Sequence, residues 1–136
     1  MAADSKSPAF GTAFTKHMLV QHFRDGKWLP AEIVPYGPFT LSPSAVVFHY
    51  GQEIFEGFKA YRQPDNSLSL FRPDRNLARM NNSAKRLCMA PIDEKQVLAD
   101  ILKLVQTDAE ELPPRPNALY IRPTMIATDT RKTRAP

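Results

Sequence analysis

The sequence is most informative about its fold in one stretch, Glu56-Gly-Phe-Lys-Ala-Tyr-Arg62 followed by Gln63-Pro-Asp-Asn66 and Ser67-Leu-Ser-Leu-Phe71. Its two outer segments are rich in strand-forming side chains and the middle one holds several turn residues, which predicts a β-hairpin. Beyond residue 73 the period changes, because the apolar residues recur at helical spacing. This spacing predicts an amphipathic helix over residues 74–89, ended by Pro91, with an apolar stripe of Leu77, Met80, Ala84, Leu87 and Cys88.

A second hairpin is predicted towards the N-terminus. Residues 17–24 and 27–34 flank Asp25-Gly26, a pair that adopts positive φ at low cost. Prolines at positions 30, 35, 38 and 43 confine the second strand to a sheet edge and make residues 35–43 a rigid connector. Ser42-Pro43 then predicts the start of a short helix that leads into residues 44–50, with Ser42 as its N-cap and Pro43 at its first position.

The remainder of the chain predicts one more helix and one more strand. Asp93 followed by Gln96 matches a capping box, and the helix it opens should run to about Glu111, before a proline-rich segment. Residues 118–127 predict a final strand. Its side chains should alternate, with Leu119, Ile121 and Met125 towards the core and Tyr120, Arg122 and Thr124 away from it. The predicted fold class is α/β (α+β), an antiparallel sheet packed with helices.

Composition limits the function classes. The chain has 136 residues, of which 43% are hydrophobic and 24% charged, and these proportions are typical of one globular domain. Its apolar runs are far shorter than the roughly 20 residues that span a bilayer, and its first residues resemble neither a secretory nor a transit peptide, so we expect no membrane association and a cytoplasmic location. The net charge of +4 is spread among acidic residues, which disfavours nucleic-acid binding.

An arginine stripe is the first candidate site. Arg75, Arg79, Asn82 and Arg86 should project from one face of the predicted helix. Such a stripe is most often a solvated surface. However, Arg75 and Arg79 are like charges four residues apart, a mildly destabilising arrangement unless an anion or carboxylate lies between them. Because arginine also suits bidentate phosphate capture, a phosphate-bearing ligand is the alternative.

Tyr120 and Arg122 form a second candidate, two residues apart on one strand face. They could line a ligand site, or they could be a cross-strand aromatic and a surface arginine. Lys59 is expected to face solvent, and Cys88 to be a small buried hydrophobe. The three histidines lack metal-ligand spacing, so no metal site is expected. The sequence also has no phosphate-loop or dinucleotide motif.

Several sequence blocks, taken in order, resemble the branched-chain amino acid aminotransferases, pyridoxal-phosphate enzymes of fold type IV. The similarity runs from Phe10 to about Asp129, and several blocks together are more specific than any one. The blocks are Phe10-Gly-Thr-Ala-Phe-Thr-Lys-His-Met18, His49-Tyr-Gly-Gln-Glu-Ile-Phe-Glu-Gly-Phe-Lys-Ala-Tyr61, Leu70-Phe-Arg-Pro-Asp-Arg-Asn-Leu-Ala-Arg-Met80, Ser83-Ala-Lys-Arg-Leu-Cys88 and Leu119-Tyr-Ile-Arg-Pro123.

This resemblance implies the roles of individual residues. Arg79 corresponds to the arginine that pairs with the phosphate of pyridoxal 5'-phosphate. The implied reaction transfers the amino group of leucine, isoleucine or valine to 2-oxoglutarate, with amino acids and 2-oxo acids as the substrates. The resemblance also implies a homodimer, in which Tyr50 could serve the partner subunit's pocket. The implied substrate-pocket residues are Phe10, Tyr50, Phe55, Tyr120 and Arg122.

The chain also departs from the family pattern. The resemblance implies that residues 1–129 form the N-terminal small domain and that residues 130–136 are a divergent basic tail. The lysine that carries the cofactor belongs to a C-terminal domain, and none of the lysines here matches it, so the chain should hold no catalytic residue and be inactive alone. Open alternatives are a non-catalytic binding or regulatory domain, and a D-amino acid transaminase or aminodeoxychorismate lyase relative.

Overall fold

A computed structural model describes residues 11–130, and its strands pair only antiparallel in that range. The predicted α/β (α+β) class is confirmed. The strands are β1 (His17–Val20), β2 (Phe23–Arg24), β3 (Lys27–Trp28), β4 (Glu32–Pro35), β5 (Glu53–Phe55), β6 (Phe58–Arg62), β7 (Leu68–Leu70), β8 (Leu119–Ile121) and β9 (Thr124–Ile126). The helices are α1 (Val46–Tyr50), α2 (Pro73–Arg86) and α3 (Glu94–Thr107), followed by a 3-10 turn at Ala109–Glu111.

The N-terminal hairpin forms where it is predicted. Asp25 and Gly26 both take positive φ, at 51° and 78°, so the turn has the backbone that suits a two-residue hairpin loop. The ladder is interrupted between the pairs β1–β4 and β2–β3, because two residues, 21–22, lie opposite three, 29–31. Pro30 lies within this bulge, where its missing N–H breaks no ladder hydrogen bond.

The predicted final strand is wrong in one respect, because it is broken into β8 and β9. β8 pairs with β6, whereas β9 pairs with β5. Both pairings keep the same register, since Phe58 lies opposite Ile121 and Phe55 opposite Thr124. The gap therefore places residues 56–57 opposite residues 122–123. Pro123 has no N–H to continue the ladder, but its carbonyl accepts a hydrogen bond from Glu56 N at 2.9 Å.

The starts of the helices differ in how closely they follow the prediction. Asp93 caps α3 as expected, accepting from the backbone N–H groups of Lys95 and Gln96 at 3.1 Å. The predicted start of α1 is wrong, because the helix begins at Val46 without a side-chain cap. Ala45, extended at ψ 137°, bridges to Thr130 and so stays out of the helix.

The end of α2 corrects the expectation that Cys88 is buried. The helix ends at Arg86, and Cys88 follows in the left-handed region at φ 53° with its side chain exposed. The N–H of Met89 bonds to Ala84 O and that of Cys88 to Lys85 O, the two hydrogen bonds of a Schellman motif. The apolar stripe consequently stops one turn early, and Leu87 is exposed as well.

The core lies between the helices and the inner face of β5, β6, β8 and β9. Leu77, Met80 and Ala84 of α2 pack in one cluster with residues of α3 and of the strands. The strand pattern predicted for residues 118–127 is confirmed in its alternation, because Met125 is buried while Arg122 and Thr124 are exposed. In residues 11–130 no helix has the length and apolar character that a bilayer span requires. The other members of the cluster are Ile54, Phe58, Ala60, Ile92, Ile101, Val105 and Leu112.

Candidate functional site

Glu56 is the centre of a polar cluster at the gap between β5 and β6. Its carboxylate accepts from Arg79 through Nε at 3.0 Å and Nη2 at 2.8 Å, a bidentate contact. Asn76 donates to the same carboxylate at 3.0 Å and to Gly57 O at 3.1 Å. Burial acts to raise the pKa of Glu56, but the hydrogen bonds from Arg79 and Asn76 outweigh it, so this pKa lies below its ordinary value.

The arginine stripe predicts an anion or a carboxylate between Arg75 and Arg79, and this cluster shows where the carboxylate lies. A carboxylate does contact Arg79, yet it comes from Glu56 on the facing strand gap, whereas Arg75 lies 3.6 Å from its neighbour Asp74. The Arg79 side chain remains 60% exposed, while that of Glu56 is only 11% exposed. Within residues 11–130, Nη1 of Arg79 has no hydrogen-bond partner, so one edge of the guanidinium is available to an anion.

Tyr120, Arg122 and Phe55 form a second cluster, on the opposite face of the same strands. Arg122 Nη2 donates to the Tyr120 hydroxyl at 3.1 Å. Its Cζ lies 4.5 Å from the centroid of the Phe55 ring and 5.2 Å from that of Tyr120, within cation–π range of both. The structure thus brings together three of the five predicted pocket residues.

Gly57 makes this arrangement possible. It lies opposite Arg122 in the continued register, and a Cβ at this position would overlap the Tyr120 hydroxyl and ring. A cleft of about 350 Å³ begins here, lined by Gly57, Tyr120 and Asn76, among others. The cleft therefore borders both clusters, because Asn76 belongs to the first and Tyr120 to the second.

The other predicted residues lie elsewhere. Tyr50 is at the C-terminal end of α1 and 70% exposed, and Phe10 lies outside the described residues, as do residues 131–136 of the predicted tail. Lys59 is exposed, as predicted, and lies opposite Tyr120 at the edge of the cleft. Among the described residues no group of histidine, cysteine or acidic side chains could hold a metal ion.

Glu56, Gly57 and Asn76 are the residues that the sequence reasoning missed. Asn76 is three residues before Arg79, so the two share a helix face, and this spacing could have identified it. Glu56 was visible only as one acidic residue in a predicted strand. Its partners come from a helix that follows it by some twenty residues, and no local pattern indicates such a contact.

Comparison with known proteins identifies relatives of similar sequence. Over 128 residues the chain is 46% identical to branched-chain-amino-acid transaminase 1 of Bacillus subtilis (strain 168), a match covering 93% of this chain and 36% of that protein. It is 49% identical over 121 residues to the cytosolic branched-chain-amino-acid aminotransferase of Saccharomyces cerevisiae, covering 88% and 32%. The chain is similar to the branched-chain aminotransferases.

Solved structures extend this similarity to the fold. The branched-chain aminotransferase of Thermoproteus uzoniensis, described with norvaline, superposes with a TM-score of 0.63 at 22% identity, over 88% of this chain and 35% of that one. The T.th. branched-chain amino acid aminotransferase, described in complex with N-(5'-phosphopyridoxyl)-L-glutamate, gives 0.56 at 29% identity, over 68% and 29%. No family model matches the sequence.

The recognised similarity and the predicted fold class are therefore confirmed. The fold is that of the N-terminal region of fold type IV branched-chain aminotransferases. The chain spans about a third of the length of the curated relatives that it matches.

Proposed function

We propose that this chain forms the small-domain side of the active site of a branched-chain amino acid aminotransferase. The observation that carries the proposal is the cleft that borders both clusters. It is lined by Asn76, from the cluster that presents an arginine edge to an anion, and by Tyr120, from the cluster that presents an arginine beside aromatic rings. Neither arginine lines the cleft itself, but each belongs to a cluster that borders it. A phosphorylated cofactor and an amino acid carboxylate would therefore each find a cationic partner at its edge.

Pyridoxal 5'-phosphate is the cofactor we propose, bound through its phosphate by Arg79. The donor set fits a phosphate ester, because the guanidinium is exposed, is held at one edge by Glu56 and has an unoccupied Nη1. When bound, this cofactor supplies an electron sink for the bond changes at the amino acid Cα. The T.th. relative, described with a phosphopyridoxyl compound, supports the choice.

The second cluster would bind and orient the substrates. Phe55 and the Tyr120 ring offer apolar surface to a branched aliphatic side chain. Arg122 is exposed and holds Tyr120 with one nitrogen, so its other donors can bind a carboxylate, including the second carboxylate of glutamate. We propose leucine, isoleucine or valine as amino donors and 2-oxoglutarate as the acceptor.

The proposed assembly is a homodimer in the cytoplasm. Phe48 and Tyr50 on α1 are 61% and 70% exposed, and such aromatic surface is typical of an interface. Tyr50 would then contribute to the partner subunit's pocket. Of the two matched yeast relatives, one is described as cytosolic and the other as mitochondrial. The cytosolic one supports the proposed location.

A chimera tests the function. The 128 matched residues of the Bacillus subtilis transaminase are replaced by this chain, and amino transfer from leucine to 2-oxoglutarate is measured. We expect a dimeric chimera with activity within about tenfold of the parent enzyme, because this chain carries the residues that we propose to contact cofactor and substrate. A folded dimer without activity, although it retains cofactor, would reject the proposal and favour a non-catalytic binding domain.

A further inference from the structure

The ion pair of Glu56 and Arg79 has unequal partners. The glutamate side chain is 11% exposed and Asn76 is 8% exposed, whereas Arg79 is 60% exposed. An ordinary surface ion pair has two mobile side chains and stabilises little. Here the buried carboxylate also accepts from Asn76, and the backbone of Glu56 is fixed by the hydrogen bond that its N–H donates to Pro123 O. The fixed member of the pair is therefore the carboxylate.

A fixed carboxylate sets the orientation of the arginine. It occupies Nε and Nη2, so the guanidinium plane is defined and Nη1 remains as the outward donor. An unrestrained arginine side chain would lose rotamer entropy when it orders on a ligand. With Glu56 in place, that ordering has already occurred during folding.

We propose that Glu56, supported by Asn76, is a positioning residue that presents the free edge of Arg79 to a phosphate ester. This inference rests on the proposed function, because the phosphate ester is that of the proposed cofactor. Glu56 itself would not touch the phosphate, since both oxygens face Arg79 and Asn76. Its action is through the arginine.

The alternative role, simple charge balance, predicts the opposite sign. If Glu56 only neutralised Arg79, then Glu56→Gln would raise the local positive charge and tighten phosphate binding. At an exposed site the Coulomb gain is small and screened by salt, whereas the loss of orientation is not screened. Positioning therefore predicts weaker binding by Glu56→Gln, and a weakening that persists at high salt.

The full 136-residue chain is titrated with pyridoxal 5'-phosphate and, separately, with inorganic phosphate, at about 0.05 M and 0.5 M salt. The Nε–H resonance of Arg79 is followed by NMR. In the wild-type chain we expect a discrete resonance that shifts on titration with both compounds. Glu56→Gln should broaden it and weaken binding about tenfold at both salt concentrations, the effect of one lost charge-assisted contact. Glu56→Asp should recover part of the affinity, and Asp74→Asn, the matched exposed control, should have no effect.

Each outcome decides the inference. Unchanged or tighter binding by a folded Glu56→Gln chain, with Arg79 still required, would overturn the positioning role and leave the proposed function intact. Absence of any Arg79 shift in the wild-type chain would overturn it also, and the chimera assay would then decide the proposed function separately. If Glu56→Gln unfolds the chain, Asn76→Ala is measured, and unaltered Arg79 line width and affinity in that variant would overturn the role.

Discussion

The hydroxyl of Tyr120 lies against the backbone of Gly57, in the space where any other residue would place its Cβ. Glycine is required here for close approach, not for an unusual φ, because Gly57 is absent from the positive-φ glycines of the described chain. The contact fixes the position of the Tyr120 hydroxyl, to which Arg122 donates. Gly57 in the strand gap, the ring of Tyr120 and the side chain of Arg122 are thereby joined through one hydroxyl group.

Gly57→Ala should therefore destabilise the chain and displace Tyr120. We expect a loss of about 1–3 kcal/mol in the free energy of unfolding, the usual cost of forcing an extra carbon into packed surroundings. Denaturant unfolding measures it. Gly37→Ala is the matched control, because no atom lies within 4 Å of a Cβ there, and its stability should stay the same or rise slightly. Equal effects at the two positions would contradict the packing argument.

Arg79→Ala should destabilise the chain more than Arg75→Ala. Removal of Arg79 leaves the buried Glu56 carboxylate with only Asn76 as a side-chain donor, at a cost of about 1–3 kcal/mol. Arg75 contacts only Asp74, and both are exposed, so its removal should change stability by less than about 0.5 kcal/mol. Thermal and denaturant unfolding of both variants decide the point, and matching losses would show that the buried carboxylate needs no arginine.

Tyr120→Phe, made in the chimera, should affect the two substrates unequally. The change removes the hydroxyl that Arg122 holds and leaves the ring. Binding of the second carboxylate of 2-oxoglutarate, which leucine lacks, should therefore suffer while apolar contact is kept. We expect the KM for 2-oxoglutarate to rise about tenfold and the KM for leucine to change less than about threefold. Lys59→Met, on the same cleft edge, is the control variant. An equal rise for both substrates would reject this assignment.

Stability should fall at acid pH because of Asp108. Burial acts to raise the pKa of Asp108, but hydrogen bonds from His17 outweigh it, so the folded-state pKa lies below the ordinary value of 3.8. The stabilisation is therefore complete above that ordinary value and is lost as the pH falls towards the lower folded-state pKa. Asp108→Asn should weaken the chain at neutral pH, and this deficit should shrink as the pH falls through 3.8. Unfolding measured at several pH values tests this, with exposed Asp74→Asn as control, and a deficit independent of pH would refute it.

The 136-residue chain alone, supplied with pyridoxal 5'-phosphate, leucine and 2-oxoglutarate, should give no turnover. The family resemblance implies that none of its lysines takes the position that carries the cofactor, and its match covers 36% of the Bacillus subtilis relative. A coupled glutamate assay measures the rate, with the chimera as positive control. Turnover by the purified chain would mean that one of its own lysines can do this chemistry.

Local patterns predicted most elements of this fold. The Asp25-Gly26 turn, the Asp93 cap and the alternation in residues 118–127 each depend on neighbours within a few residues, and all three are present. Errors arose in two places, one set by a distant contact and the other by a local turn that the spacing of apolar residues does not reveal. Ala45 is held extended by its bridge to Thr130, and the α2 apolar stripe is cut short by the Schellman motif at Cys88.

In the candidate site, too, residues with a local spacing pattern could be predicted, whereas contacts between distant residues could not. Tyr120 and Arg122 were predictable as a pair because they are two apart on a strand. Their contact with Phe55 depends on strand pairing across some seventy residues, and the resemblance to a family supplied it where spacing could not. Glu56 came from neither source, since its role is defined only by the folded position of α2.

The interruption shared by residues 56–57 and 122–123 gives the site a particular sensitivity to chain length. Each of the two strands contributes two residues to the interruption. The side chains that face the core in β5 and β9 therefore lie on the same face as those that face it in β6 and β8. Deleting or inserting a single residue on either side would turn one half of the ladder over. Glu56 would then leave α2 and Arg122 would leave Phe55 at the same time. Both clusters therefore depend on one feature, the equal number of residues that the two strands contribute to the gap.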